Sequence, residues 1–165
     1  MKKITFLALL SVLTLSSIAQ NKFGHINAQE ILSIMPEYIA AGVELESFQK
    51  GLESQLSLLN VETEAKYTDY MNIEGSLDDL TKQDKETEIR NLQQRMQNFQ
   101  QSAQQSIQAK EKELLEPVME KARKAIEDVA TEGNYTYIFD RSNATILYAK
   151  ESENVIELVK KKLGL

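Results

Sequence analysis

The chain of 165 residues has no cysteine, no tryptophan, one histidine and six scattered glycines. Without cysteine it can form neither a disulfide nor a zinc site built from thiolates. The single histidine, His25, excludes any site that needs two histidines from one chain, and no glycine-rich loop that could cradle a phosphate is present. We therefore expect no enzymatic activity, no cofactor and no metal, and we interpret His25 as an ordinary strand residue.

Basic residues are also outnumbered, with 19 Lys and Arg against 25 Asp and Glu. Two of the bases, Lys2 and Lys3, precede an apolar run from Ile4 to Leu15 that ends in small residues up to Ala19. That order is typical of a secretory signal peptide, so we predict that residues 1–19 are removed by cleavage after Ala19. An uncleaved amino-terminal helix is the less favoured alternative. The exported chain keeps all its acids and loses two bases, which disfavours nucleic acid as a partner.

The most extended pattern in the chain begins at Leu45, where apolar residues recur at alternating spacings of three and four as far as Leu80. Such a heptad pattern predicts a long helix whose apolar seam packs against another helix. The seam positions are Leu45, Leu52, Leu56, Leu59, Tyr70, Ile73, Leu77 and Leu80, interrupted by Gln49, Thr63 and Lys66.

A second heptad pattern runs from Ile89 to Val129 and predicts the returning helix of an antiparallel hairpin. It begins with Ile89, Leu92, Met96, Phe99 and Ala103, and then shifts to Ile107, Leu114, Val118, Ala122, Ile126 and Val129. A shift of this kind indicates a stutter in the coil. We predict that the hairpin occupies residues 36–132, opens at Pro36, turns near residues 80–84 and ends at Gly133.

The remaining segments, residues 20–35 and 133–165, predict a small body. Residues 22–27, 135–140 and 144–149 have the character of short strands. Asn27 has the spacing of a helix cap for a short helix after the first strand, and Ser152 is the expected cap of a last helix. Three short strands make a thin core for one chain, so we expect the body to oligomerise.

Some apolar residues of the hairpin, such as Leu58, Val61 and Met71, fall outside the predicted seam. In an isolated chain they would face solvent, and flexible or amphipathic apolar side chains suit a surface that binds varied partners. The alternative is that they pack against neighbouring subunits, and the sequence does not decide between the two.

The order of these features resembles the Skp/OmpH family of periplasmic chaperones over essentially the whole exported chain. The resemblance rests on residues 113–118 around Pro117, on 125–130, on Tyr135–Asp140 and Leu147–Ala149, and on the opening Phe23–Asn27. It implies a mostly helical α+β fold, in which a long antiparallel α-hairpin is inserted into a small β-strand body that trimerises. It also implies a periplasmic, ATP-independent holdase that binds unfolded outer-membrane proteins in a cavity between three hairpins.

From the pattern and the resemblance together we assign two sets of residues. Those expected to contact clients are Phe48, Leu58, Val61, Tyr67, Tyr70, Met71, Met96 and Phe99. Those expected in the oligomerising body are Phe23, Ile26, Tyr135, Tyr137, Phe139, Ile146 and Tyr148. The competing hypothesis is an envelope adaptor or structural coiled coil that binds one specific folded partner.

One departure from the family concerns charge. Well-known members of the family have basic hairpins, whereas the predicted tip here, residues 60–90, carries nine acidic residues and four basic ones. An acidic tip argues against contact with lipopolysaccharide or an anionic membrane, and it favours apolar contacts or basic clients.

Overall fold

The computed structural model describes residues 21–143 and 146–165, so the predicted signal peptide and its cleavage site lie outside the described residues. In chain order the described elements are β1 (Phe23–Ile26), α1 (Ala28–Ile34), α2 (Pro36–Ile73), α3 (Asp79–Glu132), β2 (Tyr137–Asp140) and α4 (Ile156–Leu163). Two short 3-10 turns, Glu74–Ser76 and Glu151–Glu153, complete the list. The fold is therefore mostly helical with a small sheet, as the sequence and the resemblance predict, and this sheet has two strands among the described residues.

The chain divides into two compact units. The hairpin unit comprises residues 32–122, and the body unit comprises residues 21–31 and 123–165. The helix α3 continues from the first unit into the second.

The start of α1 and the start of α2 follow the predicted signals. The side-chain carbonyl of Asn27 accepts a hydrogen bond of 3.2 Å from the backbone N–H of Glu30, which caps α1. Pro36 occupies the first turn of α2, and Met35 before it has extended backbone angles. A residue before proline is pushed out of the helical region, so one helix ends and the next begins here.

The turn of the hairpin lies earlier than the predicted residues 80–84. α2 ends at Ile73, and the 3-10 turn follows directly. The carboxylate of Asp78 then accepts hydrogen bonds from the backbone N–H of Thr81 at 3.0 Å and from its hydroxyl at 2.7 Å. These bonds hold the pKa of Asp78 below its ordinary value. Asp78 thus caps α3, and the prediction that the first helix continues to about residue 80 is wrong.

The end of α3 involves Gly133, as predicted, and also Asn134, which the sequence analysis did not identify. The helix ends at Glu132, and Asn134 takes the left-handed conformation with φ of 51°. The N–H of Tyr135 bonds to the carbonyl of Ala130 at 2.9 Å, and that of Asn134 bonds to Thr131 at 3.3 Å. This is a Schellman motif with asparagine at the left-handed position. Gly133 precedes that position and lies close to the ring of Tyr135.

The sheet of the body unit is parallel. Phe23, Gly24, His25 and Ile26 pair with Tyr137, Ile138, Phe139 and Asp140 respectively. The predicted third strand at residues 144–149 is wrong over the described residues Ile146–Ala149, which form no strand. The other edge of β1 is occupied instead by Asn154, which bridges to His25, and by Val155, whose N–H bonds to the carbonyl of His25 at 2.9 Å.

The core of the body unit is small and apolar. Its fully buried side chains are Ile26, Ile31, Val155 and Val159. Ser152 lies inside the second 3-10 turn and does not cap α4; instead the side-chain carbonyl of Asn154 accepts the N–H of Ile156 at 3.1 Å. This core places β1, β2 and α4 against one another and leaves the opposite face of the sheet partly uncovered by the subunit itself.

Candidate functional site

The two helices of the hairpin are held in antiparallel register by polar pairs. The pairs between α2 and α3 are Tyr70–Glu86 at 2.8 Å, Lys66–Glu88 at 2.6 Å, Glu44–Lys110 at 2.8 Å and Glu37–Lys121. Along this series the residue numbers on α2 decrease while those on α3 increase, as the pairing of antiparallel helices requires. The three ion pairs are partly or largely exposed and contribute little to the free energy of folding, so their main effect is to set the register.

The buried face of α2 follows the predicted seam. Leu59, Thr63 and Tyr70 are buried, and the hydroxyl of Thr63 returns a hydrogen bond of 2.7 Å to the carbonyl of Leu59. The polar interruption at Thr63 is therefore satisfied within its own helix. Leu80, predicted on the seam, is 70% exposed because the earlier turn moves it to the first turn of α3.

Four of the eight residues predicted to contact clients form an exposed cluster on α2. Leu58, Val61, Tyr67 and Met71 are between 51% and 68% exposed. We call these four residues the outer patch. Leu59 and Thr63 lie on the seam, and their heptad positions fix those of the patch. Leu58, Val61 and Met71 lie at positions that point away from α3, and Tyr67 lies at a position beside them.

The other four predicted client residues are placed differently. Tyr70 is buried, and its hydroxyl donates a hydrogen bond to Glu86. That bond, with burial, raises the pKa of Tyr70 to about 12. Met96 and Phe99 are half-buried on the seam of α3. Phe48 is half-buried beside an open groove of about 490 Å³ that also borders Gly51 and Leu52.

The structure also exposes apolar residues of the hairpin unit that the sequence analysis did not single out. Ile39 and Val43 near the start of α2, and Met119 on α3, are each more than half exposed. Extending the heptad of Leu45 back by one repeat places Val43 at an outward position, so the pattern contained that signal.

The uncovered face of the sheet carries three aromatic rings. Phe23, Tyr137 and Phe139 have ring centroids 5.9–6.1 Å apart and are all more than two-fifths exposed. Their shared face follows from the register, because Phe23 pairs with Tyr137 and His25 with Phe139. Such spacing suits offset aromatic packing, yet most of the ring area is left to solvent. We call these three rings the aromatic face.

The other residues expected in the oligomerising body have varied environments. Ile146 and Tyr148 border a cavity of about 300 Å³ together with Phe23 and Phe139. Ile26 is 1% exposed, so it supports the sheet from the subunit core and is closed to a partner. The ring of Tyr135 is half-buried, with the ammonium of Lys22 3.9 Å from its centroid.

His25 is buried beneath the segment that follows β2. Its Nε2 lies 2.9 Å from the backbone carbonyl of Lys150. A carbonyl can only accept, so Nε2 is the donor in this bond. Nδ1 is buried without a hydrogen-bond partner among the described residues. His25 is therefore part of the packing of the body unit, as a strand residue.

Two further features bear on the class of site. Across residues 21–143 and 146–165, no helix combines the length and the hydropathy that crossing a bilayer requires. In the same ranges no three acidic or histidine side chains are grouped as a metal would require.

Comparison with known proteins agrees with this architecture. The family model described as outer membrane protein (OmpH-like) matches residues 22–163. The crystal structure of a candidate outer membrane chaperone (OmpH-like) from Caulobacter crescentus CB15 superposes with a TM-score of 0.77. It shares 12% identity, and the match covers 88% of this chain and 85% of the other. No curated protein matches the chain significantly. By its match to the family model over most of its length, the chain belongs to the OmpH-like family.

Proposed function

We propose that this protein is an ATP-independent holdase of the periplasm that binds unfolded outer-membrane proteins and prevents their aggregation. The observation that carries the proposal is the outer patch, four apolar side chains at least half exposed on a hairpin whose seam is already filled. Apolar side chains exposed together on a helix face in this way mark a binding surface more often than a monomer's ordinary surface. Membership of the OmpH-like family, and the chaperone description of the Caulobacter protein, support the same role.

The proposal includes assembly into a homotrimer through the body unit. β2 contributes two rings to the aromatic face, and its own side chains remain largely exposed. An exposed aromatic strand in a two-stranded sheet is a surface that a second copy of the chain can cover. Three copies joined in this way would hold three hairpins around a common cavity, in which a client is retained by many weak contacts.

The experiment is native mass spectrometry of the exported chain, alone and after a urea-unfolded outer-membrane barrel is diluted into it. We expect a trimer that takes up one unfolded client, and we expect several unrelated unfolded barrels to be taken up. A stable monomer or dimer that ignores every unfolded client would overturn the proposal. Binding of one native envelope protein and no unfolded one would instead support the adaptor hypothesis.

A further inference from the structure

We infer that the outer patch selects among unfolded segments by charge, and that it binds apolar segments interspersed with lysine or arginine more tightly than equally apolar acidic ones. This inference rests on the proposed function and specifies its client class. It concerns one face of α2, between Gly51 and Asn72.

The first observation is that the net charge of the exported chain resides in the hairpin unit. Residues 32–122 hold 17 of the acidic residues against nine basic ones, whereas residues 21–31 and 123–165 hold eight of each. A client that meets the hairpin therefore meets a negative potential, and one that meets only the body unit does not.

The second observation is local to the outer patch. From Gly51 to Thr81 the chain has seven carboxylates and a single cation, Lys66. The ammonium of Lys66 lies 2.6 Å from Glu88 of α3. The hydrogen bond to Glu88 raises the pKa of Lys66, and the nearby carboxylates of Glu62 and Asp69 raise it further. The one positive charge on this stretch of α2 is thus already compensated by three negative ones.

The third observation is how the carboxylates lie relative to the apolar side chains. Glu62 follows Leu58 by four residues and Glu64 follows Val61 by three, which are the spacings of neighbouring side chains on a helix. Asp69 lies between Tyr67 and Met71 in sequence, at a position that flanks this face. All three carboxylates and all four patch residues are on exposed positions of one helix. Within this stretch, Glu64 is the only charged residue at a heptad position that points away from α3.

These features fit a lysine or arginine side chain better than any other. Its methylene stem can lie on Leu58 or Val61 while its charged head reaches Glu62 or Glu64, their neighbours on the helix. An acidic side chain on the same apolar site would face three like charges on α2, where the single cation of this stretch, Lys66, is already paired. The preference falls as salt is added, because screening at 0.1 M already acts over about 10 Å.

The test uses two unfolded, dye-labelled peptides with identical apolar residues, one with lysine and one with glutamate at the remaining positions. Fluorescence anisotropy with the full exported chain gives the dissociation constants at 50 mM and 500 mM NaCl. We expect the lysine peptide to bind about tenfold more tightly at 50 mM. The ratio of the dissociation constant of the glutamate peptide to that of the lysine peptide should then fall towards one at 500 mM.

Two triple variants locate the effect. Glu62→Gln/Glu64→Gln/Asp69→Gln should reduce the ratio at 50 mM to about threefold or less. Glu111→Gln/Glu113→Gln/Glu116→Gln removes the same formal charge from α3 at about 20 Å or more along the hairpin from the patch, and it should leave the ratio nearly unchanged.

The outcomes separate this inference from the proposed function. If unfolded barrels are captured but both peptides bind equally, or the glutamate peptide binds more tightly, the inference is overturned and the holdase stands. If the two triple variants lower the ratio equally, the selection belongs to the net charge and the patch assignment is wrong. If neither peptide nor any unfolded barrel binds, both the inference and the proposed function fail.

Discussion

The hydroxyl of Tyr70 on α2 donates a hydrogen bond of 2.8 Å to the carboxylate of Glu86 on α3, close to the hairpin turn. With burial, this bond raises the pKa of Tyr70 to about 12, from an ordinary value near 10. Tyr70→Phe should therefore lower the urea midpoint at pH 8. The difference between wild type and variant should be fully present below pH 10 and should shrink as the pH rises to about 12.

Tyr67→Phe, at an exposed position three residues earlier, is the matched control and should have the midpoint of wild type at pH 8. Equal midpoints for wild type and Tyr70→Phe at pH 8 would mean that the bond contributes nothing. The absence of cysteine keeps disulfide exchange out of the alkaline measurement.

The outer patch should bind clients as a set. Leu58→Ser alone should weaken capture of an unfolded barrel by no more than about threefold, because one contact among many is lost. Leu58→Ser/Val61→Ser/Tyr67→Ser/Met71→Ser should weaken it more than about tenfold while the helical circular dichroism is unchanged. Light scattering of the aggregating client measures capture. Leu158→Ser/Leu165→Ser, at exposed positions of the body unit, should behave as wild type, and a total loss from Leu58→Ser alone would contradict distributed binding.

Gly133 is small because of its neighbours. A Cβ atom there would lie 2.4 Å and 2.7 Å from two ring carbons of Tyr135 and 3.0 Å from the carbonyl oxygen of Val129. Gly133→Ala should cost about 1–3 kcal/mol of unfolding free energy. Asn134→Gly, at the left-handed residue beside it, should leave stability unchanged or slightly raised. Urea unfolding measures both, and the reverse order of the two variants would refute the assignment.

The aromatic face should be required for assembly. Tyr137→Ser/Phe139→Ser removes two of its three rings at positions 60% and 46% exposed, so the subunit fold should survive. We expect the variant to elute as a monomer by size exclusion with light scattering, and to lose client capture with the assembly. An assembly of wild-type size would contradict the role of this face. Leu147→Ser, 96% exposed beyond the sheet, is the control.

The hairpin could be predicted from the sequence because a heptad pattern is repeated many times, so its phase survives a few polar interruptions. Outward positions such as Leu58 and Val61 followed from that phase. Met96, Phe99 and Tyr70 were placed both on the seam and among the client residues, and the structure supports the seam. Where one residue satisfies two assignments, the repeated pattern is the better guide.

The errors lie where a single local bond decides the structure. The turn was misplaced because Leu77 and Leu80 continue the seam spacing past the end of the first helix, whereas Asp78 accepts the N–H of Thr81 and starts the second helix. The third strand was inferred from alternation at residues 144–149. The alternation of apolar and polar residues does not determine which segment pairs with the free edge of β1, and in the structure Asn154 pairs there with His25.

The parallel pairing of β1 with β2 has a consequence for biogenesis. Lys22 and Thr136 exchange backbone and side-chain hydrogen bonds across a sequence separation of 114 residues. The hairpin can form progressively from its turn, because each new contact joins residues that are already close in space. The sheet can form only when the two ends of the hairpin segment are brought together, which is a loop closure over the whole hairpin. During synthesis, β1 therefore emerges early and pairs late. A nascent or truncated chain would form the hairpin before the sheet. The aromatic face, through which we propose that subunits assemble, is therefore complete only when nearly the entire polypeptide is available.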